Sequence, residues 1–510
     1  MKTATWSLVE ARLARNPGAV AFIAGDRRIT CAEFAQLCLR TETWLREHGV
    51  GAGDRIGVWL VNRVEWLALF FALARIGATL VSVNTRYRSE EVTYILEKSG
   101  ACMLVLQPGF RSIDFTGILQ GMDGDQLPAL TRLAVLDADA ATPARLLGRP
   151  VLSLDVSACE PAPAEDGSDS AVPAIFFTTS GTTKGPKLVM HPQRTLVQHA
   201  WNCARAYGLD QDGAAFLAML PFCGVFGLNG ALAAFAAGAA VVLIETFDGL
   251  QAAQLLQAHG ITHTFGSDEM YRRVLDAAPG ERPFPAARMF GFGAFTSSFS
   301  AYAREACARG VPLTGLYGSS EVLALFSAQS MDLPVEPRTE GGGRPAAGRA
   351  ATVRIRDTGT GALLPPGQSG EIEISAPSVF SGYYDNPEAT AEALLPDGFF
   401  RTGDIGHLRS DGSFVYETRM GDAIRLGGFL VNPVEIEAVL KRFAELADAQ
   451  VVAVEIGGQT RVVAFVIAER GAAIDAQAIM ARMRAQVAPF KVPARVWPVD
   501  AYPVTLSSNG

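Results

Sequence analysis

From Gly213 to Ile244 the chain carries no charged side chain, and a stretch of that length either spans a bilayer or lies inside a protein core. Pro221, Gly224, Gly227, Asn229, Gly230 and Gly238 interrupt it, while Asp210, Asp212 and Glu245 flank it. Breakers at that density argue against a membrane helix, so the stretch is expected to divide into a strand, a loop and a short helix, buried beside an apolar pocket. A core of that kind needs a large wrapping. The 510 residues supply one, and two or more cores are expected on length alone.

The pattern around it alternates helix and strand. Thr30 followed by Glu33 forms a capping box opening a helix to about His48, and Ser89 opens another that stops near Gly100. RIGVWLV at 55–61 and ATLVSV at 78–83 read as buried strands, as do VVLI at 241–244, THTFG at 262–266 and RMFGFGAF at 288–295. The polar stretch from Asp155 to Val172 is read as a loop. Beyond a loose Gly/Pro/Arg segment at 327–350, TVRIRD and GEIEIS alternate with period two, which is β structure. The helix EIEAVLKRF and the strands VVAVEI and RVVAFVIAE then suggest a small separate domain, with MGDAI at 420–424 as the linker. The expected fold class is α/β. A large N-terminal domain of mainly parallel sheets with a β subdomain occupies 1–419, and a small mobile α+β C-terminal domain occupies 420–510.

A net charge of −8 argues against a nucleic-acid partner, which requires a basic face. The seven cysteines are odd in number and form no C-x-x-C, so neither a disulfide framework nor a zinc site is expected. MKTATWSLVEARLARNPG enters an amphipathic helix without the apolar run of a signal peptide. A reducing cytoplasm and no integral membrane segment are the resulting expectations.

The chemistry concentrates at 176–191, FFTTSGTTKGPKLVMH. Gly181 and Gly185 let successive N–H groups converge on an anion. Thr179, Ser180, Thr182 and Thr183 place four hydroxyls on one turn, and Lys184 and Lys187 add positive charge while Pro186 stiffens the exit. The segment is suited to polyphosphate, yet it is no Walker loop, because Leu188 follows Lys187 and Gly185 lies only two residues before it. A polar surface turn is the plainer reading of the segment taken alone.

SGTTKGPK resembles the signature loop of the adenylate-forming superfamily, which includes acyl-CoA synthetases, luciferases and peptide-synthetase adenylation domains. Further motifs follow in that family's order: LYGSSE at 316–321, with Ser320 where threonine is usual; FRTGD at 400–404; TRMGDAIRLGGFLVNPVEIE at 418–437; and APFKVPARVWPVDAYPVT at 488–505. The resemblance implies ATP, Mg²⁺ and CoA acting on a small carboxylic acid, in two steps through an acyl-adenylate, and the family allows a homodimer. It implies catalytic roles for Thr179, Lys187, Glu321 and Arg419, with Glu321 holding the metal. Thr178, Ser180, Gly181, Thr182 and Thr183 would cradle phosphate. Gly293, Ala294, Gly318, Ser319 and Ser320 would lie close to the nucleotide, with Tyr317 against adenine, and Asp404 would take the ribose hydroxyls. Gly427 and Gly428 would lie along pantetheine, a hairpin turn being the rival reading. Phe222, Cys223, Phe226, Gly291, Phe292 and Gly315 would line the acid pocket; Cys223 stands where many acyl-CoA synthetases carry histidine.

Two departures matter. Gly421 occupies the hinge position, where aspartate or lysine is usual, and Asp422 follows it. The family's adenylating lysine follows a Thr-x-x-Gly-like run, whereas this sequence ends VTLSSNG at Gly510 and Lys491 falls too early in the motif; the expectation is a chain cut short of it. No aspartate in PFCGVFG would pair an amino group, so a plain acid is expected, fatty or aromatic. Open alternatives are an acyl-AMP ligase loading a carrier protein, a luciferase-like oxygenase and a catalytically impaired nucleotide-binding or acyl-binding homologue.

Overall fold

The computed structural model describes residues 3–163, 168–179, 186–293, 299–420, 424–426, 429–431, 433–457 and 459–502. The chain divides into two compact units, the first made of Met1–Thr85, Thr93–Thr179 and Lys187–Met420, the second chiefly of Gly421–Gly510.

In the first unit the uncharged stretch becomes the strand Ala215–Ala218, the helix Val225–Ala237 and the strand Ala240–Leu243. Gly238 ends the helix at φ 99°, a left-handed cap that suits glycine. Among the described residues no helix is long and apolar enough to cross a membrane. The two strands pair in parallel, and on either side of them the sheet adds Val20–Ala24, His263–Ser267, Met289–Gly293 and Leu313–Tyr317, also in parallel. A second sheet of nine strands runs in parallel through Thr79–Ser82, Arg55–Trp59, Met103–Leu106 and Arg132–Val135, and carries Pro173–Thr179 on its other side. Between the elements lies one extended apolar core, to which the helix Val64–Ile76 contributes nearly its whole circumference, including Trp66, Phe70 and Phe71. A helix apolar all round has no solvent face to keep.

The capping box is present. Thr30 Oγ1 accepts from the Glu33 N–H at 3.2 Å, Glu33 accepts from the Thr30 N–H at 2.8 Å, and the helix runs Cys31–Glu47. That helix also carries Glu42, which meets Arg75 at 2.6 Å with both side chains almost wholly buried, while the guanidinium lies 4.4 Å from the Trp6 ring. A buried arginine stripped of its carboxylate keeps the desolvation cost without the attraction. Glu42→Gln is therefore expected to destabilise the protein by about 3 kcal/mol, read as a lower denaturant midpoint.

The segment at 327–350 is not the loose connection expected from its composition. Ser327–Ala328 and Gly341–Pro345 are strands that hydrogen-bond Leu313–Tyr317 on one side and Phe414–Arg419 on the other, so the β region is one sheet with the parallel strands. Glycine here is a packing requirement. Gly342 and Gly343 have φ of 113° and 98°, and a Cβ would come within 2.3 Å of the Phe414 carbonyl oxygen and 1.9 Å of that of Ala328. The sheet continues through Phe400–Leu408, Gly370–Ser375 and Thr352–Arg356, all antiparallel.

The second unit has its own core. Leu446–Ile456 pairs antiparallel with Gln459–Ala468, which pairs in parallel with Arg495–Pro498. Ile436, Val439 and Leu440 from the helix Pro433–Leu440, and Ile479 and Met483 from Ala476–Gln486, cover one face of that sheet.

Candidate active site

The strands Pro173–Thr179 and Lys187–Pro192 form the antiparallel stem of the hydroxyl-rich loop, with Thr179 opposite Lys187 and Thr178 opposite Leu188. Ser180, Gly181, Thr182 and Thr183 lie outside the described residues. On the outer edge of the stem the two-residue strand Gly382–Tyr383 pairs with Val189 and Met190. That pairing brings Tyr383 under Lys187, whose Nζ lies 4.6 Å from the ring centroid. A cation over an aromatic face is attracted to it, so the lysine is held near the loop mouth.

Tyr383 also donates its hydroxyl to Glu321 Oε1 at 2.9 Å. Burial first, and then the Glu321 charge, push the Tyr383 phenol far above its ordinary range, so it remains a donor. Glu321 sits in the one-turn 3₁₀ segment Ser320–Val322, and its carbonyl accepts from the Phe380 N–H at 2.8 Å. Its other carboxylate oxygen has no partner among the described residues. A half-buried carboxylate with one oxygen fixed and one open fits a hard divalent cation that completes its shell with phosphate and water. Beside it Ser319 adds a buried hydroxyl oxygen that has no partner among the described residues.

Behind this turn the strand Leu313–Tyr317 ends at Tyr317, whose hydroxyl donates to Asp404 Oδ2 at 2.7 Å. Asp404 faces Arg419 directly across the strands Phe400–Leu408 and Phe414–Arg419, with Arg419 Nη1 at 3.5 Å from its Oδ1. The Asp404 N–H donates to Thr402 Oγ1 at 3.0 Å, so backbone and side chain are both fixed. Tyr317 is wedged against Phe414 at 5.2 Å, edge to face. A buried carboxylate paired with an arginine and a phenol is the arrangement a diol-binding acceptor needs.

The glycines of these motifs have packing reasons. A Cβ on Gly315 would meet the Glu340 carbonyl oxygen at 1.8 Å, one on Gly318 the Ala324 backbone at 2.6 Å, and one on Gly291 the Leu316 side chain at 2.7 Å. Gly293 ends its strand half-buried, while Ala294 lies outside the described residues, as do Gly421, Gly427 and Gly428.

On the acid side the expected residues separate. Phe222 is fully buried, 5.8 Å from Trp66, and its N–H donates to Asn62 Oδ1 at 2.7 Å. The Cys223 carbonyl accepts from the Ser82 hydroxyl, and its side chain is buried. Phe226 is partly open and stacks on Phe265 with centroids 6.3 Å apart and planes at 18°. Phe292 belongs elsewhere. Successive strand residues face opposite sides, so Phe290 and Phe292 point into a second cluster with Tyr271 and Phe284, away from Gly291 and the core holding Phe222. Phe292 therefore does not join Phe222, Cys223 and Phe226.

Tyr383 and His191 were missed from sequence. Counting by two from Lys187 reaches Val189 and His191 on one strand face, a signal for the histidine. It is fully buried and its Nε2 meets the Ser320 carbonyl at 2.7 Å. Nothing in SGYYDNP marks Tyr383, because its partners are far away in sequence.

Residues 9–384 match the family model described as AMP-binding enzyme, and 435–509 match the AMP-binding enzyme C-terminal domain. The chain belongs to this family. A curated relative in Mycobacterium tuberculosis, the 3-[(3aS,4S,7aS)-7a-methyl-1,5-dioxo-octahydro-1H-inden-4-yl]propanoyl:CoA ligase, is 32% identical over 506 residues, 96% of this chain and 94% of the relative. The indoleacetate–CoA ligase of Aromatoleum aromaticum is 29% identical over 99% of this chain and 96% of its own. Among solved structures, the amide bond synthetase McbA of Marinactinospora thermotolerans superposes with a TM-score of 0.83 at 26% identity, covering 99% and 97% of the two chains. The o-succinylbenzoate CoA synthetase of Bacillus subtilis, at 22% identity and a TM-score of 0.82, shares the fold. This AMP-binding enzyme is placed among the AMP-forming carboxylate–CoA ligases, for which ATP and CoA are substrates.

Proposed function

We propose that this AMP-binding enzyme joins CoA to a carboxylic acid bearing an aromatic or alicyclic ring, using ATP as its magnesium complex. The observation that carries this reading is the Phe226–Phe265 stack at the start of the helix Val225–Ala237, a helix with no charged side chain. A flat, partly open aromatic surface in an uncharged wall favours a ring over a polar or amino-bearing acid. Ring acids named for relatives, among them indoleacetate, 2-succinylbenzoate and 3-hydroxybenzoate, support it.

In the first step a carboxylate oxygen bonds to the α-phosphorus and pyrophosphate leaves. In the second the CoA sulfur bonds to the acyl carbon, AMP leaves, and the thiol proton is released. Lys187 and the hydroxyl-rich loop are assigned to the phosphates, Asp404 and Arg419 to the ribose, and Glu321 to the metal, which when bound offsets polyphosphate charge. The protein's contribution is positioning and charge stabilisation.

Incubating the protein with ATP, Mg²⁺, CoA and a pooled set of aryl, bicyclic and linear acids, followed by mass spectrometry, tests the reading. Acyl-CoA products from the ring acids are expected. Thioesters from linear acids alone would overturn the substrate class, and acyl-AMP without thioester would overturn CoA as the acceptor.

A further inference from the structure

The backbone just after Glu321 is strained. Leu323, Ala324 and Leu325 have φ of 65°, 46° and 38°, three consecutive residues with side chains in the left-handed region that glycine normally fills. Such a run persists only where its surroundings hold it. Ala324 N–H donates to the Ser319 carbonyl at 2.7 Å, folding the turn back over the metal-binding segment. Beside the Phe380 and Tyr383 contacts of Glu321, further restraints come from one segment of the chain. His191 Nε2 meets the Ser320 carbonyl at 2.7 Å, and because a carbonyl only accepts, that nitrogen carries the proton. His199 Nε2 lies 3.4 Å from Cys203 Sγ, the next residue along the same helix face. Tyr207 donates its hydroxyl to the Leu325 carbonyl at 2.6 Å, joined by Cys203 Sγ at 3.5 Å.

These donors lie on one segment. His191 is in the strand that leaves the phosphate loop, and the helix Gln193–Ala206 follows it directly. His199, Cys203 and Tyr207 recur every four residues, a spacing that aligns side chains along one helix face. All four are buried. The element that positions Lys187 thus also grips the turn that positions Glu321, and the two are fixed relative to one another.

We propose that Tyr207 and His191 are positioning residues for Glu321. They capture the carbonyls of the left-handed turn and so set where the carboxylate stands toward the divalent cation of the nucleotide complex. The inference rests on the assignment of Glu321 to the metal.

The test is Mn²⁺ binding to the full chain in the presence of ATP, followed by electron paramagnetic resonance, beside metal-free AMP binding followed by calorimetry. Tyr207→Phe removes one hydroxyl from a buried site of unchanged shape. It is expected to weaken Mn²⁺ binding about three- to ten-fold, the range of one net hydrogen bond, with AMP affinity unchanged. In a Glu321→Gln background the same substitution should add no further loss. His191→Gln, which keeps an N–H donor, should retain Mn²⁺ affinity, and His191→Leu should lose it. If Glu321→Gln leaves Mn²⁺ binding intact, the metal assignment itself fails. If Glu321→Gln weakens it while Tyr207→Phe and His191→Leu match the parent, or weaken AMP binding equally, the positioning role is overturned.

Discussion

Replacing Glu321 by glutamine is expected to lower kcat/KM for adenylate formation by about 10²–10³, or about 3–4 kcal/mol, with little change in melting temperature. The two halves of that expectation have different origins. Gln keeps an acceptor at the position of Oε1, so the 2.9 Å bond from the Tyr383 hydroxyl survives, and the Phe380 N–H still finds the main-chain carbonyl at 321. The fold therefore loses little. Function loses the charge that balances the cation among the phosphates, and an amide oxygen is a far weaker ligand for a hard divalent ion. ATP–pyrophosphate exchange across a Mg²⁺ titration measures the effect, and thermal melting checks the fold. Exchange at the parental rate with an unshifted Mg²⁺ requirement would remove Glu321 from the metal site.

How much of this site is legible in the sequence depends on whether a residue's partner is near in sequence or far. Thr30 and Glu33 form the capping box at the spacing that names it, and the apolar stretch divides at Pro221, Gly224 and Gly238, whereas Gly227 and Gly230 stay inside the helix. Those are local rules. Asp404 and Arg419 are directly opposed in a hairpin, but Tyr317, which fixes the carboxylate, comes from a parallel strand far earlier in the chain. Only the family resemblance connected the three. Where no motif marked a contact, sequence reasoning failed: Tyr383 links Lys187 to Glu321 through the face of its ring and its hydroxyl, two interactions with partners in separate elements. The reading of 327–350 failed for a related reason. Gly342 and Gly343 look like loop residues, yet they are glycines because neighbouring strands approach too closely for a Cβ. Strand parity places Phe292 with Phe290, on the opposite face from Gly291, a separation the motif alone does not display.

Buried histidines also govern how the protein responds to acid. Three buried histidines have depressed pKa values, all caused first by burial: His191 to about 3, His199 to about 4 and His263 to about 4. In the unfolded chain each titrates near 6.5. Between roughly pH 6.5 and 4 the unfolded state therefore binds protons that the native state refuses, and stability falls as pH falls through that window. Each histidine contributes about 1.4 kcal/mol per pH unit below 6.5, so at pH 5 the three together remove about 6 kcal/mol relative to pH 7.5. The carboxylates held low by their partners, such as Glu373 between Arg354 and Arg356, act at still lower pH and do not mask this step. Unfolding in denaturant from pH 7.5 to 5, followed by tryptophan fluorescence, measures the loss, since five of the six tryptophans, all but Trp497, belong to the unit that carries these histidines. Near pH 5 unfolding should take up about three protons from these residues, and His263→Gln should reduce the slope by about one. A flat profile between pH 7.5 and 5 would mean that the buried imidazoles accept protons in the native state, which the enclosed positions of His191 and His199 do not allow.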